Sequence, residues 1–151
     1  MSLNIQNVEL ATATDLPELA TLWEASVRAT HRFLTEEDIL FFRPVVTEQY
    51  LPSATLYCIR EKGKPVAFTG IRDREIETLF VHPDARGKGY GKRLLEFAVR
   101  EFGADHLDVN EQNEQALGFY IHMGFEVAGR DETDGYGKPF PILHLVRFRE
   151  R

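Results

Sequence analysis

The chain has 151 residues, 43% of them hydrophobic, and a formal net charge of −6 at pH 7. That length predicts a single domain, residues 1–151, with a substantial core. The acidic balance argues against a nucleic-acid binder, which needs lysine and arginine to contact phosphates. The single cysteine, Cys58, excludes an internal disulfide and a cysteine-based metal cluster, and its apolar surroundings predict a core position.

The first half of the chain predicts one strand, two helices and three further strands. The first strand is expected over residues 5–11, and a helix follows with Thr14 as its N-cap and apolar residues at helical spacing to residue 30. Residues 35–38 resemble a capping box for a second helix, which Pro44 should kink or end. Strands are then expected at residues 55–60, 66–71 and 76–81, the first two joined as a hairpin.

The second half alternates helices and strands. Helices are expected at residues 89–102, stopped by Gly103, and at residues 113–123, closed by Gly124. Strands are expected at residues 106–109, 125–128 and 142–148, with a Gly/Pro-rich loop over residues 131–141. The predicted order is β-α-α-β-β-β-α-β-α-β-β, which is typical of the α/β class with a mixed sheet and helices on both faces.

The segment over residues 81–95 leads from an apolar strand into a helix and carries Gly87, Gly89 and Gly91 on alternate positions. A bare backbone turn at a helix N-terminus points several N–H groups one way, and the helix dipole adds partial positive charge there. Lysine and arginine side chains surround the turn, namely Arg86, Lys88 and Lys92. The segment therefore predicts a pyrophosphate site.

Two common phosphate loops do not fit this segment. A P-loop requires Ser or Thr where Arg93 stands, and the third glycine comes one residue too early for the Rossmann fingerprint. What fits is [Q/R]-x-x-G-x-[G/A], with Arg86, Gly89 and Gly91, preceded by a strand through Leu79 and Val81. This pattern resembles the acetyl-CoA loop of the GCN5-related N-acetyltransferases (GNAT).

A second segment, residues 107–125, resembles another GNAT block: a strand, an asparagine, a short helix with Phe119-Tyr120, then Gly124-Phe125. The likeness extends over roughly residues 5–148. Residues 30–34, 109–113 and 137–139 are similar to a bacterial branch of YjaB-like acetyltransferases within the family. The resemblance implies a mostly antiparallel sheet whose two central strands, residues 76–81 and 106–109, splay apart around acetyl-CoA.

By the same resemblance, acetyl-CoA is the acyl donor and a primary amine attacks it directly in a ternary complex. The backbone at the end of the first splayed strand would pair with the pantetheine arm, and the glycine loop would hold the pyrophosphate. The predicted cofactor-binding residues are Leu79, Phe80, Val81, Arg86, Gly87, Lys88, Gly89, Tyr90, Gly91, Lys92, Asn113 and Tyr120.

Tyr120 is the leading candidate for the general acid. It lies seven residues after Asn113, so the two share nearly one face of a helix. In the family a tyrosine at this place protonates the leaving thiolate. The alternative is an aromatic side chain packed in the core with its hydroxyl hydrogen-bonded.

Glu77 is the leading candidate for the general base, because it precedes the expected thioester position on the strand. Glu75 would share its face if no bulge intervened, and Asp108 lies on the neighbouring strand. A water molecule remains a further alternative.

Four residues are candidates for the acceptor site: His31, Phe33, Asp108 and Tyr136. His31 lies between the first two helices, a region that borders the acceptor in the family, although a packed or capping histidine is an equally ordinary interpretation. Tyr136 belongs to a loop with three acids and two aromatic residues that could hold an ammonium group through charge and cation–π contact. The alternative is an ordinary polar turn.

The sequence thus predicts an acetyl-CoA-dependent N-acetyltransferase acting on a small-molecule or protein amine. The alternatives are a non-catalytic acyl-CoA-binding module and a nucleotide-phosphate enzyme such as a kinase. The histidines show no metal-ligand spacing, so no metal is expected, and neither nucleic acid nor membrane is an expected partner. No signal peptide is evident, which predicts a cytoplasmic location. Monomer and homodimer remain open.

Overall fold

The computed structural model describes residues 7–148. Its strands are β1 (Glu9–Leu10), β2 (Leu56–Glu61), β3 (Lys64–Arg72), β4 (Glu75–Val81), β5 (His106–Asn110), β6 (Phe125–Asp131) and β7 (Ile142–Arg147). Its main helices are α1 (Leu16–Thr30), α2 (Glu36–Pro44), α3 (Tyr90–Phe102) and α4 (Glu114–His122). A π-helical segment, Val45–Tyr50, and one further turn, Leu51–Ser53, continue from the end of α2.

The strands form one sheet in the order β1-β2-β3-β4-β5-β7-β6. Every neighbouring pair is antiparallel except β4 and β5, which are parallel and pair only at Glu75–His106 and Ile76–Leu107. Beyond these two pairs the strands separate, which opens a gap beside the C-terminal half of β4. The predicted α/β fold, with a mostly antiparallel sheet and splayed central strands, is confirmed.

Local sequence signals explain most of the element boundaries. Thr35 caps α2, because its hydroxyl accepts the Asp38 N–H at 3.1 Å while the Asp38 carboxylate accepts the Thr35 N–H at 2.9 Å. Pro44 ends the α-helical part of this segment, as predicted. The N-cap prediction for α1 was wrong. The N-cap is Asp15 and not Thr14, because a short turn, Ala13–Asp15, precedes the helix. The Asp15 carboxylate accepts the Thr12 N–H at 2.9 Å.

The first strand is shorter than predicted. β1 pairs with β2 only at Glu9 and Leu10, because the chain then turns into the segment that starts α1. Residues 5 and 6 of the predicted strand lie outside the described residues.

Helices cover both faces of the sheet. On one face, α1 packs Leu19 and Trp23 against Cys58 and Phe68, and Cys58 is fully buried, as predicted. On the other face, α3 and α4 cover a second cluster that includes Leu95, Leu107 and Tyr120. Within residues 7–148 there is no helix whose length and hydropathy would let it cross a membrane. The two packed faces leave the gap between β4 and β5 as the opening into the sheet.

Candidate active site

A cleft of about 550 Å³ lies where β4 and β5 separate. Its walls come from the end of α1, the C-terminal half of β4, the glycine loop before α3, β5 and the start of α4. Most of the site residues predicted from the sequence line it, namely His31, Glu77, Leu79, Phe80, Val81, Arg86, Gly87, Gly89, Tyr90, Gly91, Lys92, Asp108, Asn113 and Tyr120. Lys88, Phe33 and Tyr136 are not part of this wall. The splayed strands therefore bring together segments far apart in the sequence.

The glycine loop has the geometry that a pyrophosphate requires. Gly89 caps the N-terminus of α3 at φ 82°, in the left-handed region that other residues rarely adopt. A Cβ built at this position meets no atom within 4 Å, so the space beside the backbone is open. The first intrahelical bond of α3 runs from the Arg93 N–H to the Gly89 oxygen, at 3.0 Å. The N–H groups of the preceding first turn lack intrahelical partners and can bind an anion.

The three basic side chains around the loop differ in the groups that they contact. Lys92 lines the cleft, and a guanidinium nitrogen of Arg86 donates to the Gln115 side-chain oxygen on α4 at 2.5 Å. Lys88 instead forms an ion pair with Glu61, with 2.9 Å between Nζ and the carboxylate oxygen. The same carboxylate accepts the Tyr90 hydroxyl, and these two contacts lower the pKa of Glu61. The charge of Lys88 is therefore balanced by Glu61 at the rim.

A β-bulge shapes the part of β4 that carries Glu77. Gly70 on β3 pairs with Thr78, but the next residue, Ile71, pairs with Ile76, which leaves Glu77 as the extra residue. The interpretation that placed Glu75 on the face of Glu77 required an unbulged strand, and this condition is not met. Glu75 does not contribute to the cleft wall.

The Tyr50 side chain contacts Glu77 and Thr78 at the bulge, and the sequence analysis did not predict this contact. Its hydroxyl donates to Glu77 Oε1 at 3.4 Å and lies 3.1 Å from the Thr78 hydroxyl oxygen. A Cβ at Gly70 would collide with the Tyr50 hydroxyl, so the glycine makes this approach possible. A glycine inside a strand is the one sequence signal that pointed here.

Glu77 is held on its other side by Arg72, whose Nε donates to Oε2 at 2.8 Å. Its side chain is only 13% exposed, whereas that of Arg72 is 73% exposed. Burial raises the pKa of Tyr50, which keeps its hydroxyl protonated as a donor. Glu77 is thus oriented from two sides while it faces the cleft.

Tyr120 presents its hydroxyl to the cleft. The ring is 7% exposed and packs near Phe119 and Phe125. The hydroxyl has no hydrogen-bond partner among residues 7–148, and no fully buried side-chain polar atom there lacks a partner, so the oxygen meets open space. Burial raises the pKa of Tyr120 and keeps the phenol protonated. The ring is packed in the core, as the alternative had it, but its hydroxyl is not hydrogen-bonded to residues 7–148.

Asn113 begins α4 and faces the same cleft. Its side-chain oxygen accepts the Ala116 N–H at 3.3 Å, the bond of a helix N-cap. The side-chain amide group is left to donate to another partner.

A second cavity of about 260 Å³ adjoins the cleft. His31, Phe80 and Asn110 line both spaces, so the two cavities are neighbours that share these residues. The remaining walls are mostly apolar and are supplied by Trp23, Val27, Leu34, Phe42, Val46, Asp134, Gly135, Tyr136 and Phe140. The second cavity therefore extends the cleft away from the glycine loop.

The predicted acceptor residues take different places around this junction. Phe33 stands behind His31, with 5.3 Å between ring centroids, and outside both cavities. Tyr136 lines the second cavity and contacts Phe41 and Phe42 edge to face. Burial lowers the pKa of His31 to about 4, so its ring is neutral at pH 7.

Asp108 lines the cleft, but its carboxylate is bonded to the side chain of His144 on β7. Its Oδ1 lies 2.6 Å from His144 Nδ1, and Asp131 lies 2.8 Å from the other nitrogen of the same ring. The two carboxylates raise the pKa of His144. Residues 7–148 contain no group of three or more histidine, cysteine or acidic side chains that could hold a metal ion.

Comparisons with known proteins agree on one family. The family model for the acetyltransferase (GNAT) domain matches residues 52–127. Peptidyl-lysine N-acetyltransferase YjaB of Escherichia coli (strain K12) is 43% identical over 130 residues, which are 85% of this chain and 88% of that protein. The solution structure of apo-form YjaB from Escherichia coli matches with a TM-score of 0.87 and 38% identity, covering 95% of this chain and 97% of that one.

A more distant structure contains the coenzyme. PaiA N-acetyltransferase from Thermoplasma acidophilum, in complex with coenzyme A, matches with a TM-score of 0.71 and 22% identity over 98% of this chain and all of that one. At this identity the likeness shows the fold.

Proposed function

Because this chain belongs to the GNAT acetyltransferase family and is an acetyl-CoA-dependent N-acetyltransferase, we propose that its acceptor is the ε-amine of a lysine side chain on a protein. The observation that carries the proposal is the apolar second cavity, which meets the cleft at His31 and Phe80. The names of the YjaB relatives support it, since each is called a peptidyl-lysine N-acetyltransferase. The whole chain would act as one catalytic domain in the cytoplasm.

The chemistry of the two cavities matches the two ends of such a substrate. A lysine side chain has a long apolar stem and a charged head. The aromatic and aliphatic walls of the second cavity suit the stem, and Tyr136 is positioned to contact it. Asp134 adds a carboxylate to the same wall and would attract the cation as it enters. The amine would then reach the cleft at His31.

The donor would lie along the cleft in the orientation that the glycine loop suggests. The first-turn N–H groups of α3, with Arg86 and Lys92, would bind the pyrophosphate. The backbone of Leu79, Phe80 and Val81 borders the gap and would pair with the pantetheine arm as an added strand does. The free amide of Asn113 would donate to the same arm. Lys88 would join the phosphates only after leaving Glu61.

Acetyl transfer from a thioester to a lysine ammonium needs three proton transfers: two from the nitrogen, before and after the attack, and one to the thiolate. Two residues would carry the first and the last of them. Glu77 would accept the proton that leaves the lysine ammonium, directly or through water, and so make its lone pair available. The amine nitrogen would attack the thioester carbonyl carbon, the new C–N bond would form, and the C–S bond would break. Tyr120 would give its proton to the departing thiolate, because its hydroxyl is unpaired and faces the cleft.

The experiment that tests the acceptor is a competition among amines. The protein is incubated with acetyl-CoA and one of four acceptors: a lysine-containing peptide with a blocked N-terminus, the same peptide with arginine in place of lysine, free lysine, or a polyamine. Release of free thiol and the mass of the peptide are both measured. We expect thiol release and one added acetyl group with the lysine peptide, and none with its arginine counterpart. Acetylation of free lysine or the polyamine alone would overturn the proposal.

A further inference from the structure

His31 stands where the two cavities meet, and the proposed route of the amine passes it. The imidazole ring packs against Phe33 and Phe80, with centroids 5.3 Å and 6.4 Å away. Phe80 belongs to the stretch of β4 that borders the gap, so the ring lies beside the strand proposed to hold the thioester.

The hydrogen bonds around His31 assign its tautomer. The Thr30 hydroxyl donates to the Ser26 carbonyl oxygen at 2.8 Å, and Thr30 Oγ1 also lies 2.8 Å from His31 Nδ1. A hydroxyl has a single proton to donate. Because that proton goes to Ser26, Nδ1 must carry the hydrogen and donate it to Thr30. The other nitrogen, Nε2, then carries a lone pair.

The lone pair of Nε2 is open to the cavities. Nε2 has no hydrogen-bond partner in the part of the chain that the structure describes, where no fully buried polar side-chain atom lacks one. The nitrogen is therefore accessible, and the ring borders both the cleft and the second cavity. This is the geometry of a proton acceptor presented to a ligand.

The carboxylates that line the same two cavities are already engaged. Glu77 accepts from Arg72 and Tyr50. Asp108 is bound to His144, and Asp134 accepts the backbone N–H groups of Tyr136 and Lys138, each at 2.9 Å. His31 is the group at the junction whose basic atom is free.

We propose that His31 is a second proton acceptor in the reaction, taking the proton from the amine nitrogen as the C–N bond forms. The inference rests on the proposed function, because it requires an amine that arrives through the junction. Acetylation of a lysine ammonium removes two protons from the nitrogen, whereas the leaving thiolate takes up one. Glu77 receives the first proton before the attack, and His31 Nε2 receives the second from the tetrahedral adduct. Solvent then removes the protons from Glu77 and His31 and restores that of Tyr120, so that one proton is released overall.

A buried imidazole has its lone pair available for this step. The nitrogen of the adduct is more acidic than a free ammonium, because the carbon beside it now carries oxygen and sulfur. An unprotonated base beside it can accept its proton, and the transfer is most efficient when the pKa of that base lies near the working pH. Burial among apolar rings lowers the pKa of His31 to about 4, which keeps the ring unprotonated at pH 7.

The first test is spectroscopic and needs no substrate. In protein labelled with ¹⁵N at histidine, the long-range ¹H–¹⁵N spectrum distinguishes a nitrogen that carries hydrogen from one with a lone pair. We expect His31 to be neutral at pH 7 with hydrogen on Nδ1, and Thr30→Val to shift its signals. Hydrogen on Nε2, or a protonated ring at pH 7, would overturn the proposal.

The second test is kinetic and uses His31→Asn. The asparagine amide retains a donor for Thr30 but lacks the base, so we expect the single-turnover rate on the lysine peptide to fall by about 10²–10⁴-fold. The KM for acetyl-CoA should stay within about twofold. His122→Asn makes the same chemical change on the exposed surface of α4 and should leave the rate unaltered.

The outcomes separate the two proposals. A rate within about twofold of wild type, or a loss confined to the KM for the peptide, would make His31 a wall of the cavity and not a proton acceptor. If His31→Asn melts before the assay, His31→Gly with added imidazole replaces it, and failure of imidazole to restore any rate would count against the proposal. If the wild-type protein acetylates a different amine, only the assignment of lysine as the acceptor is wrong. The same comparison of wild type with His31→Asn, made on that amine, then decides the role of His31.

Discussion

The two ends of the cleft are built in different ways. The donor end is mainly one continuous stretch of chain, residues 79–92, in which backbone groups and glycines border the cleft, with Asn113 added from the start of α4. The acceptor end is assembled from side chains of α1, the π-helical segment, β4 and the loop before β7. A site made of backbone is encoded locally, whereas a site made of side chains exists only once distant segments have packed. The two ends should therefore respond differently to mutation.

Tyr120, where the ends meet, should give the largest effect. Tyr120→Phe removes only the hydroxyl, so we expect the single-turnover acetylation rate to fall by about 10²–10⁴-fold, or roughly 3–5 kcal/mol of transition-state stabilisation. The affinity for acetyl-CoA and the free energy of unfolding should change little, because the hydroxyl has no partner among residues 7–148 to lose. Rapid-quench measurement of the first turnover avoids any limit from product release.

Tyr57→Phe is the matched control for this prediction. Tyr57 also packs between aromatic rings, those of Phe97 and Phe102, but outside the cleft wall. It should keep the wild-type rate. A first turnover in Tyr120→Phe within about twofold of wild type would assign the proton on sulfur to solvent or to another donor.

At the acceptor end, His31 should make the free energy of unfolding depend on pH. Its pKa in the folded state is lowered from 6.5 to about 4, so between these values the unfolded chain binds a proton that the folded chain does not. Stability should then be lost as the pH falls from 6.5 towards 4, and the cost at the acid end is roughly 3 kcal/mol at about 1.4 kcal/mol per pKa unit. Urea unfolding of wild type and His31→Asn across this range measures the difference.

His144 provides a contrast of opposite sign. Its pKa is raised by Asp108 and Asp131, so its contribution is fully present below 6.5 and is lost as the pH rises through the folded value. His144→Gln should flatten the dependence of the unfolding free energy on pH on the alkaline side, by no more than about 1 kcal/mol for an exposed ion pair.

For His31, the contradicting result is a curve of unfolding free energy against pH for His31→Asn that runs parallel to that of wild type down to pH 4. It would mean that the imidazole is solvated and not buried.

The same contrast explains how far the sequence alone could lead. The strand–glycine–helix pattern predicted the shape of the glycine loop, because Gly89 and the first turn of α3 need no distant partner to take that shape. The order of elements also predicted the mixed sheet, and the resemblance to the GNAT family implied its splayed centre. Tyr50 could not be assigned to the site, because its contact with Glu77 joins residues 27 positions apart through a bulge. The engagement of Lys88 by Glu61 was hidden for the same reason.

Gly91 is the position where a substitution should disturb the donor end with little strain on the fold. Gly89 is at φ 82°, so any side chain there would strain the fold as well as the loop. Gly91 has ordinary helical geometry, and a Cβ would sit 3.8 Å from Leu79, Val81 and Phe119 in the cleft wall. The further methyl groups of Gly91→Val should enter the space beside the cleft wall, and a clash with the ligand of about 1.4–2.8 kcal/mol would lower acetyl-CoA affinity roughly 10–100-fold.

Calorimetric titration beside a melting curve tests this prediction. Gly118→Val introduces the same side chain in α4, at an exposed position where a Cβ meets no atom within 4 Å. Both variants should fold, and only Gly91→Val should lose affinity. Equal affinities would mean that the ligand does not approach the start of α3.

Glu61 should give the smallest effect, and in the opposite direction. Its carboxylate holds Lys88 at 2.9 Å, outside the cleft wall, and a phosphate would have to compete for that charge. Glu61→Gln removes the competitor, so acetyl-CoA should bind slightly more tightly, because an exposed ion pair contributes little. Lys88→Ala in the Glu61→Gln background should abolish the gain, whereas Tyr90→Phe, which removes only the other bond to Glu61, should not reproduce it. The gain should also shrink with added salt, because exposed charges are screened. A Glu61→Gln affinity that matches wild type at low salt would show that Lys88 takes no part in holding the phosphates, which would then depend on the backbone of the loop with Arg86 and Lys92.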